Sequence, residues 1–470
     1  MNPFVRSLSS VAAARVVMAI GGFFLFWLIA TEAGTETLGG FALVLSLFLA
    51  TQQLPLLGLH IPIARDIANG TRSPLEVFRG VLPISLFSAV VLMLVVVVVG
   101  RLAYPPALNN AFVLIALAIV PAAITGIAEA ILIGQQRMEI IARVALTENL
   151  TRSIICIGLI LAHAPLPWLF ATLLVCRVGA GIFYLRLFPE ARGRLSSVSP
   201  FLSQVPAFLG IAVLATVAAR MDLLILGGLA GVVEAGVYAP AARLYEFGLL
   251  VPSIVATALF PSFSKAAPVR PQLVSLLMRV WRVVAWTTML AVVPAALLAP
   301  TVVEMLFAPE AAATGLALSI LCLALVLVTL DQTLTLALLA AGAQKWDLLS
   351  LCVGVLTGVT LLCLLTPSHG ARGAAASVVA MMAVQLSFRL AIAIRVLEIR
   401  GLRRRLISEA MVPLTFSVIM MLASDRLISL GLPIVMAVLV GIGALGGLVA
   451  VGLSWKRALR QLKAGTAEAP

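Results

Sequence analysis

The feature that constrains this chain most is a succession of apolar runs, each about twenty residues long, separated by short segments that hold most of its charge. A run of that kind crosses a bilayer as a helix, because only internal hydrogen bonds satisfy a backbone in hydrocarbon. Fourteen helices are expected, near residues 11–31, 38–59, 78–100, 109–133, 143–162, 165–187, 203–229, 236–260, 280–300, 314–341, 348–366, 373–397, 410–424 and 431–454. With 62% hydrophobic and only 11% charged residues, the 470-residue chain is too apolar for a soluble globule. The expected class is an all-α polytopic membrane protein whose connections leave no room for a folded extramembrane domain. The run from Val16 to Ala30 shows no clear cleavage pattern and is read as part of the first span.

The charges test this helix count. Cytoplasmic loops carry the Lys/Arg excess, and alternate connections here do so: Arg65, Arg72 and Arg79; Arg137 and Arg143; Arg186, Arg192 and Arg194; Lys265 to Arg282; Lys345; and Arg395 to Arg405. The opposite connections hold Arg101, Arg372 and Arg426 beside Glu32, Glu36, Glu234, Glu304, Glu310 and Asp425. Both termini are therefore expected in the cytoplasm. The net charge of +13 is spread between the apolar runs and forms no single patch, which argues against nucleic acid as a partner. The five cysteines all fall inside apolar runs without CxxC spacing, so neither a disulfide framework nor a metal site is expected.

The chain also carries an internal repeat. Thr37-Leu38-Gly39-Gly40-Phe41-Ala42 stands in register with Glu234-Ala235-Gly236-Val237-Tyr238-Ala239. Gly134-Gln135-Gln136-Arg137-Met138-Glu139 has the same order of residue types as Gly342-Ala343-Gln344-Lys345-Trp346-Asp347. Pro62 answers Pro261, and Arg177 in helix six answers Arg389 in helix twelve. Six helices per repeat, each repeat starting from the same side, give parallel repeats related by an axis along the membrane normal. The expected division is residues 1–195 (helices 1–6), 196–400 (helices 7–12) and 401–470 (helices 13 and 14 with a tail). Two similar lobes of this kind can rock about a midplane site.

With these anchors in view, the chain resembles the polysaccharide flippases of the MOP superfamily, which export O-antigen and exopolysaccharide repeat units. The residues that carry the resemblance are Gly39-Gly40-Phe41-Ala42, Gly58-Leu59 with Arg65-Asp66, Arg220-Met221-Asp222, Ala235-Gly236-Val237-Tyr238, and Gly370 to Ser377. Their order and spacing extend over most of the chain. The resemblance implies a MATE-like two-lobe fold in a bacterial inner membrane and export of a polyprenyl-diphosphate-linked oligosaccharide, coupled to an H⁺ or Na⁺ gradient. It further implies contacts with membrane lipids and other glycan-assembly proteins, and a monomer. Lipid II flippases of the same superfamily place basic residues on helices one, two and eight. Arg15 and Arg243 fall on the first and eighth here, but helix two offers only Gln52, Gln53 and His60. That departure counts against lipid II as the substrate.

A charge in hydrocarbon costs several kcal/mol unless it faces protein or water, so each intramembrane ionisable residue is a functional candidate. A diphosphate needs cations that keep their proton and bond bidentately, which is what arginine supplies. The candidates for substrate binding are Arg15, Arg177, Arg220, Arg243 and Arg389, and those for ion coupling are Asp222 and Asp331. Each has a structural alternative. Arg15 can snorkel to headgroups, Arg177 and Arg389 can clamp helices within a lobe, and Arg243 can pair with Glu246 at i,i+3. Asp331 can be matched by an arginine from another helix, and Glu148 with Arg152 has the favourable i,i+4 order for a structural pair.

Two other classes are weighed. A multidrug exporter of the same fold calls for a cavity lined by acids and aromatics, whereas aromatics are only 6% of this chain. A membrane enzyme of glycan assembly calls for a long outer loop bearing acids or histidine. The sequence has neither that loop nor a GxSxG, HExxH or Walker A motif, so a non-enzymatic protein is expected.

Overall fold

The computed structural model of the chain describes residues 3–188, 205–307 and 312–397. The expected helices 410–424 and 431–454, and the basic run Arg403 to Arg405, lie outside the described residues. Among the described residues the chain is helical, with no strand: α1 (Pro3–Thr51), α2 (His60–Ala68), α3 (Pro74–Ala103), α4 (Asn109–Gly134), α5 (Met138–Leu161), α6 (Pro167–Leu187), α7 (Val205–Leu229), α8 (Val232–Ala266), α9 (Arg270–Phe307), α10 (Ala312–Ala340) and α11 (Gln344–Leu397). Nine of the described helices are long and apolar enough to cross a membrane. The fold is that of an all-α polytopic membrane protein.

Two of these helices are double. α1 holds the first two expected spans and α11 the eleventh and twelfth, and each is broken at one residue. The breaks are Gly34 (φ 82°, ψ 171°) and Gly370 (φ 52°, ψ −132°). A positive φ costs a glycine little, so one residue suffices to turn the chain where the sequence leaves no room for a loop. Helix two was expected to continue to residue 59, but α1 ends at Thr51. Pro55 has no N–H to donate to the ladder, and the chain passes through a 3₁₀ turn at Leu54–Leu56 and left-handed Leu57 and Gly58 before α2 starts.

By packing, the chain forms two compact units, Met1–Pro240 with Leu362–Ala374, and Ala241–Leu361 with Ala375–Pro470. These are drawn by contact density, and their bounds differ from the repeat boundaries expected at 195 and 400.

The first unit is centred on α4, whose inward residues Ile127, Ala128 and Ile131 are fully buried against Val77, Phe78 and Val81 of α3, and Tyr184 of α6. The opposite side of α3, with Leu94, Val98 and Leu102, is exposed. In a bilayer that is the lipid-facing side. The first unit also contains a close crossing between the two register-matched glycines. A Cβ on Gly39 would stand 2.0 Å from the carbonyl oxygen of Val232, and a Cβ on Gly236 would stand 2.0 Å from that of Thr35. Each glycine faces the carbonyl four residues before the other, so the contact is reciprocal. Backbones approach this closely only where both residues lack a side chain.

In the second unit α9 packs along α10 through Leu273, Leu277, Trp281 and Val284, spaced three and four apart on one helical face. Gly315 of α10 lies against Pro300, and the Ser319 hydroxyl donates to the carbonyl of Ala296 at 2.6 Å. A hydroxyl bonded across two helices in hydrocarbon adds a modest stabilisation while fixing their register.

Candidate functional site

The charged residues on the apolar helices gather into separate groups, each inside one compact unit. In the first unit the centre is Arg177 of α6. Its Nε is 3.0 Å from Glu148 Oε1 of α5, and its Nη2 donates to Gln52 Oε1 at 2.9 Å. The guanidinium carbon stands 5.7 Å from the Phe48 ring centroid. Gln52 and Phe48 belong to the second expected span, so three spans meet on one side chain. Arg152 and Glu129 lie within electrostatic reach of both Glu148 and Arg177, giving two acids and two bases in one apolar unit.

This adds a partner to the pairing expected along α5. The i,i+4 order favours Glu148 with Arg152, yet the short ion pair of Glu148 runs to Arg177 on the neighbouring helix. A guanidinium set beside Phe48 and bonded to Gln52 is largely shielded from water, and a carboxylate there compensates its desolvation. Helix two carries no cation of its own. Its side-chain amides are Gln52 and Gln53, and His60, at the start of α2, is held below its ordinary pKa by burial. The positive charge beside helix two comes from α6.

In the second unit the centre is Arg389 of α11. Its Nη1 donates to Asp331 Oδ2 of α10, and its Nε is 2.9 Å from Asp347 Oδ1 at the start of α11. Gln385 Nε2 donates to the same Asp331 oxygen at 2.9 Å. The side chains of Arg389 and Asp331 are 4% and 6% exposed, so both are almost fully enclosed. Asp331 thus has an arginine partner from another helix, the alternative weighed for it from sequence. Arg177 and Arg389, matched in the repeat, are each engaged by carboxylate within their own unit.

The remaining candidates lie on α1, α7 and α8. Arg243 Nη1 lies 2.7 Å from Glu246 Oε2 on the same face of α8, with side chains 22% and 31% exposed. Arg220 of α7 is half-buried. Asp222, two residues on, accepts a 2.8 Å hydrogen bond from the hydroxyl of Tyr238, whose side chain is fully buried. Arg15 is on α1, but its side chain lies outside the described residues. Among the described residues no group of three or more His, Cys, Asp or Glu is placed to hold a metal ion.

Some of these partners were missed from sequence. Gln385 and Arg389 are one helical turn apart and share a face, a signal that was available. Asp347 was seen only as a repeat anchor, and the bond from Tyr238 to Asp222 left no mark in either segment alone.

An arrangement of this kind can do two things. Arginines bridged to acids on other helices hold those helices together, and an arginine that keeps part of its side chain exposed, such as Arg243, can bind an anion. The fold has solved counterparts. It superposes on the lipid II flippase MurJ in an inward closed conformation with a TM-score of 0.72 at 12% identity, covering 96% of this chain and 99% of that one. It superposes on an inward-facing multidrug resistance MATE family transporter of the MOP superfamily with a TM-score of 0.59 at 16% identity, over 84% of this chain and 99% of that one. A MOP superfamily transporter from Pyrococcus furiosus, described by the reverse polarity of its binding pocket, gives 0.56 at 16% identity, over 84% and 96%. At these identities the likeness is one of fold. No curated protein matches the chain. The sequence profile described as "Polysaccharide biosynthesis protein" matches residues 16–310. The chain belongs to the polysaccharide biosynthesis protein family.

Proposed function

We propose that this protein is a flippase that moves a polyprenyl-diphosphate-linked oligosaccharide across the bacterial inner membrane by alternating access, with both termini in the cytoplasm. One observation carries the reading: a chain of the polysaccharide biosynthesis family has, over nearly its whole length, the fold of MOP superfamily transporters. Glycan assembly on a lipid carrier needs a step that takes the charged head group through hydrocarbon, and a transporter fold in such a family suits that step.

In this reading helices 1–6 and 7–12 act as two lobes, and one of the arginine candidates meets the diphosphate. Arg243 is the strongest of these, because its side chain is partly exposed and an acid paired with it, Glu246, is on its own helix, one turn away. Arg177 and Arg389, bound by groups from other helices, act mainly by holding those helices in place. Asp331 and Asp222 are the proposed coupling groups. For Asp331 the physical reason is that Arg389 is shared with Asp347, so the three groups together carry one more negative than positive charge in a buried place. A proton or a Na⁺ ion would balance it.

The testing experiment is deletion of the gene in its native host, with lipid-linked oligosaccharide followed on the two faces of the inner membrane. The proposal expects the oligosaccharide to accumulate on the cytoplasmic side and to clear when the gene is restored. Normal glycan export together with new sensitivity to cationic drugs would overturn it in favour of a multidrug exporter.

A further inference from the structure

Glu234 stands in the first turn of α8, and its carboxylate reaches a second helix start. Its Oε2 accepts from the backbone N–H of Ala371 at 2.8 Å, where the second half of α11 begins just after the Gly370 break. Two helix N-termini, each with a positive dipole end and unpaired N–H groups, therefore share one negative charge. Gly370 makes the seat possible. A Cβ there would come within 2.3 Å of Glu234 Oε2, and its φ of +52° already excludes most other residues.

A second observation stands beside this one. Two residues along α8, Gly236 makes the reciprocal close contact with Thr35 and Gly39 of α1. Glu234 thus fixes to α11 the same end of α8 that the glycines press against α1. All of these residues belong to the first compact unit. The charge pattern assigns Glu36, Glu234 and Arg372 to the outer face of the membrane.

We propose that Glu234 is a latch on the outer face: its carboxylate ties the start of α8 to the Gly370 break of α11, and the tie must open for cargo to leave on that side. The proposal rests on the transport reading above, and names a positioning residue for it. The bond is suited to reversible use. It is a single charge-assisted contact to backbone, it needs no partner side chain, and it sits where water can replace it once the glycine crossing parts.

The test is thiol labelling of Ala371→Cys from outside intact cells with a membrane-impermeant maleimide, in a background lacking the five native cysteines. Ala371 is 3% exposed with the latch closed, so labelling in the parent should be slow. Glu234→Ala should raise the labelling rate about tenfold, the loss expected for one charge-assisted hydrogen bond. Glu234→Gln, which keeps size and an acceptor oxygen, should raise it less, and guards against a fold defect in the alanine variant. Equal rates in the parent and Glu234→Ala, rapid labelling in the parent, or labelling only from the cytoplasmic side would each overturn the latch. The readout needs no cargo. A labelling difference in a protein that exports no glycan would count against the flippase reading and leave the latch standing.

Discussion

The guanidinium of Arg389 on α11 and the carboxylate of Asp331 on α10 form an enclosed ion pair, and Asp347 binds the other edge of the same guanidinium. Removing one partner of a buried pair leaves an uncompensated charge, which costs far more than the pair contributes. In the first unit, Arg177 is held between Glu148, Gln52 and Phe48. The arginines that the sequence repeat matches are therefore each paired with a carboxylate of another helix inside their own unit, whereas the carboxylate 2.7 Å from Arg243 is Glu246 of its own helix.

Arg389→Ala is expected to destabilise the second unit by roughly 3 kcal/mol or more, since it strands the buried Asp331 carboxylate. The check is the melting temperature of purified protein in detergent. Asp331→Asn added to Arg389→Ala should recover part of the loss, because it removes one stranded charge. A double variant no more stable than the single one would show that the two residues are not coupled.

The glycine crossing gives a sharper prediction. Gly39→Ala and Gly236→Ala each place a methyl group 2.0 Å from a backbone carbonyl oxygen, which cannot move aside as a side chain can. Each should cost about 1–3 kcal/mol by overpacking. Gly228→Ala, with nothing within 4 Å of the added Cβ, is the matched control and should be near neutral. Thermal melting of the three variants side by side measures this, and equal melting for all three would show that α1 and α8 do not meet at these glycines.

Topology can be measured directly. Reporter fusions after Glu32 and Glu234 should read as outside, and fusions after Arg194 and Arg405 as inside. A reversed signal at any one would break the helix count at that point.

Much of the fold was legible because a bilayer imposes so few choices. Apolar runs of spanning length can only be helices, and the gaps left near residues 34 and 370 are where Gly34 and Gly370 break α1 and α11. The end of helix two was misjudged because its apolar character continues past Pro55, which stops the helix for a backbone reason that hydropathy does not register. The candidate site was legible as a set of residue types, since buried arginines and acids stand out in an apolar chain. Their pairing was not. Spacing along one helix suggested Glu148 with Arg152, whereas burial selected Arg177 across helices. Glu234 with Ala371 is a side chain meeting a backbone N–H, separated by 137 residues, and no residue type announces such a bond.

The central claim is that Arg243 meets the diphosphate of a lipid-linked glycan. It is tested most directly by glycan export in cells at matched protein levels. Arg243→Ala should abolish export while the protein remains inserted and abundant. Arg243→Lys should restore export only in part, since lysine keeps the charge and loses the planar fork. Full export by Arg243→Ala would contradict the account and leave this residue as a structural partner of Glu246.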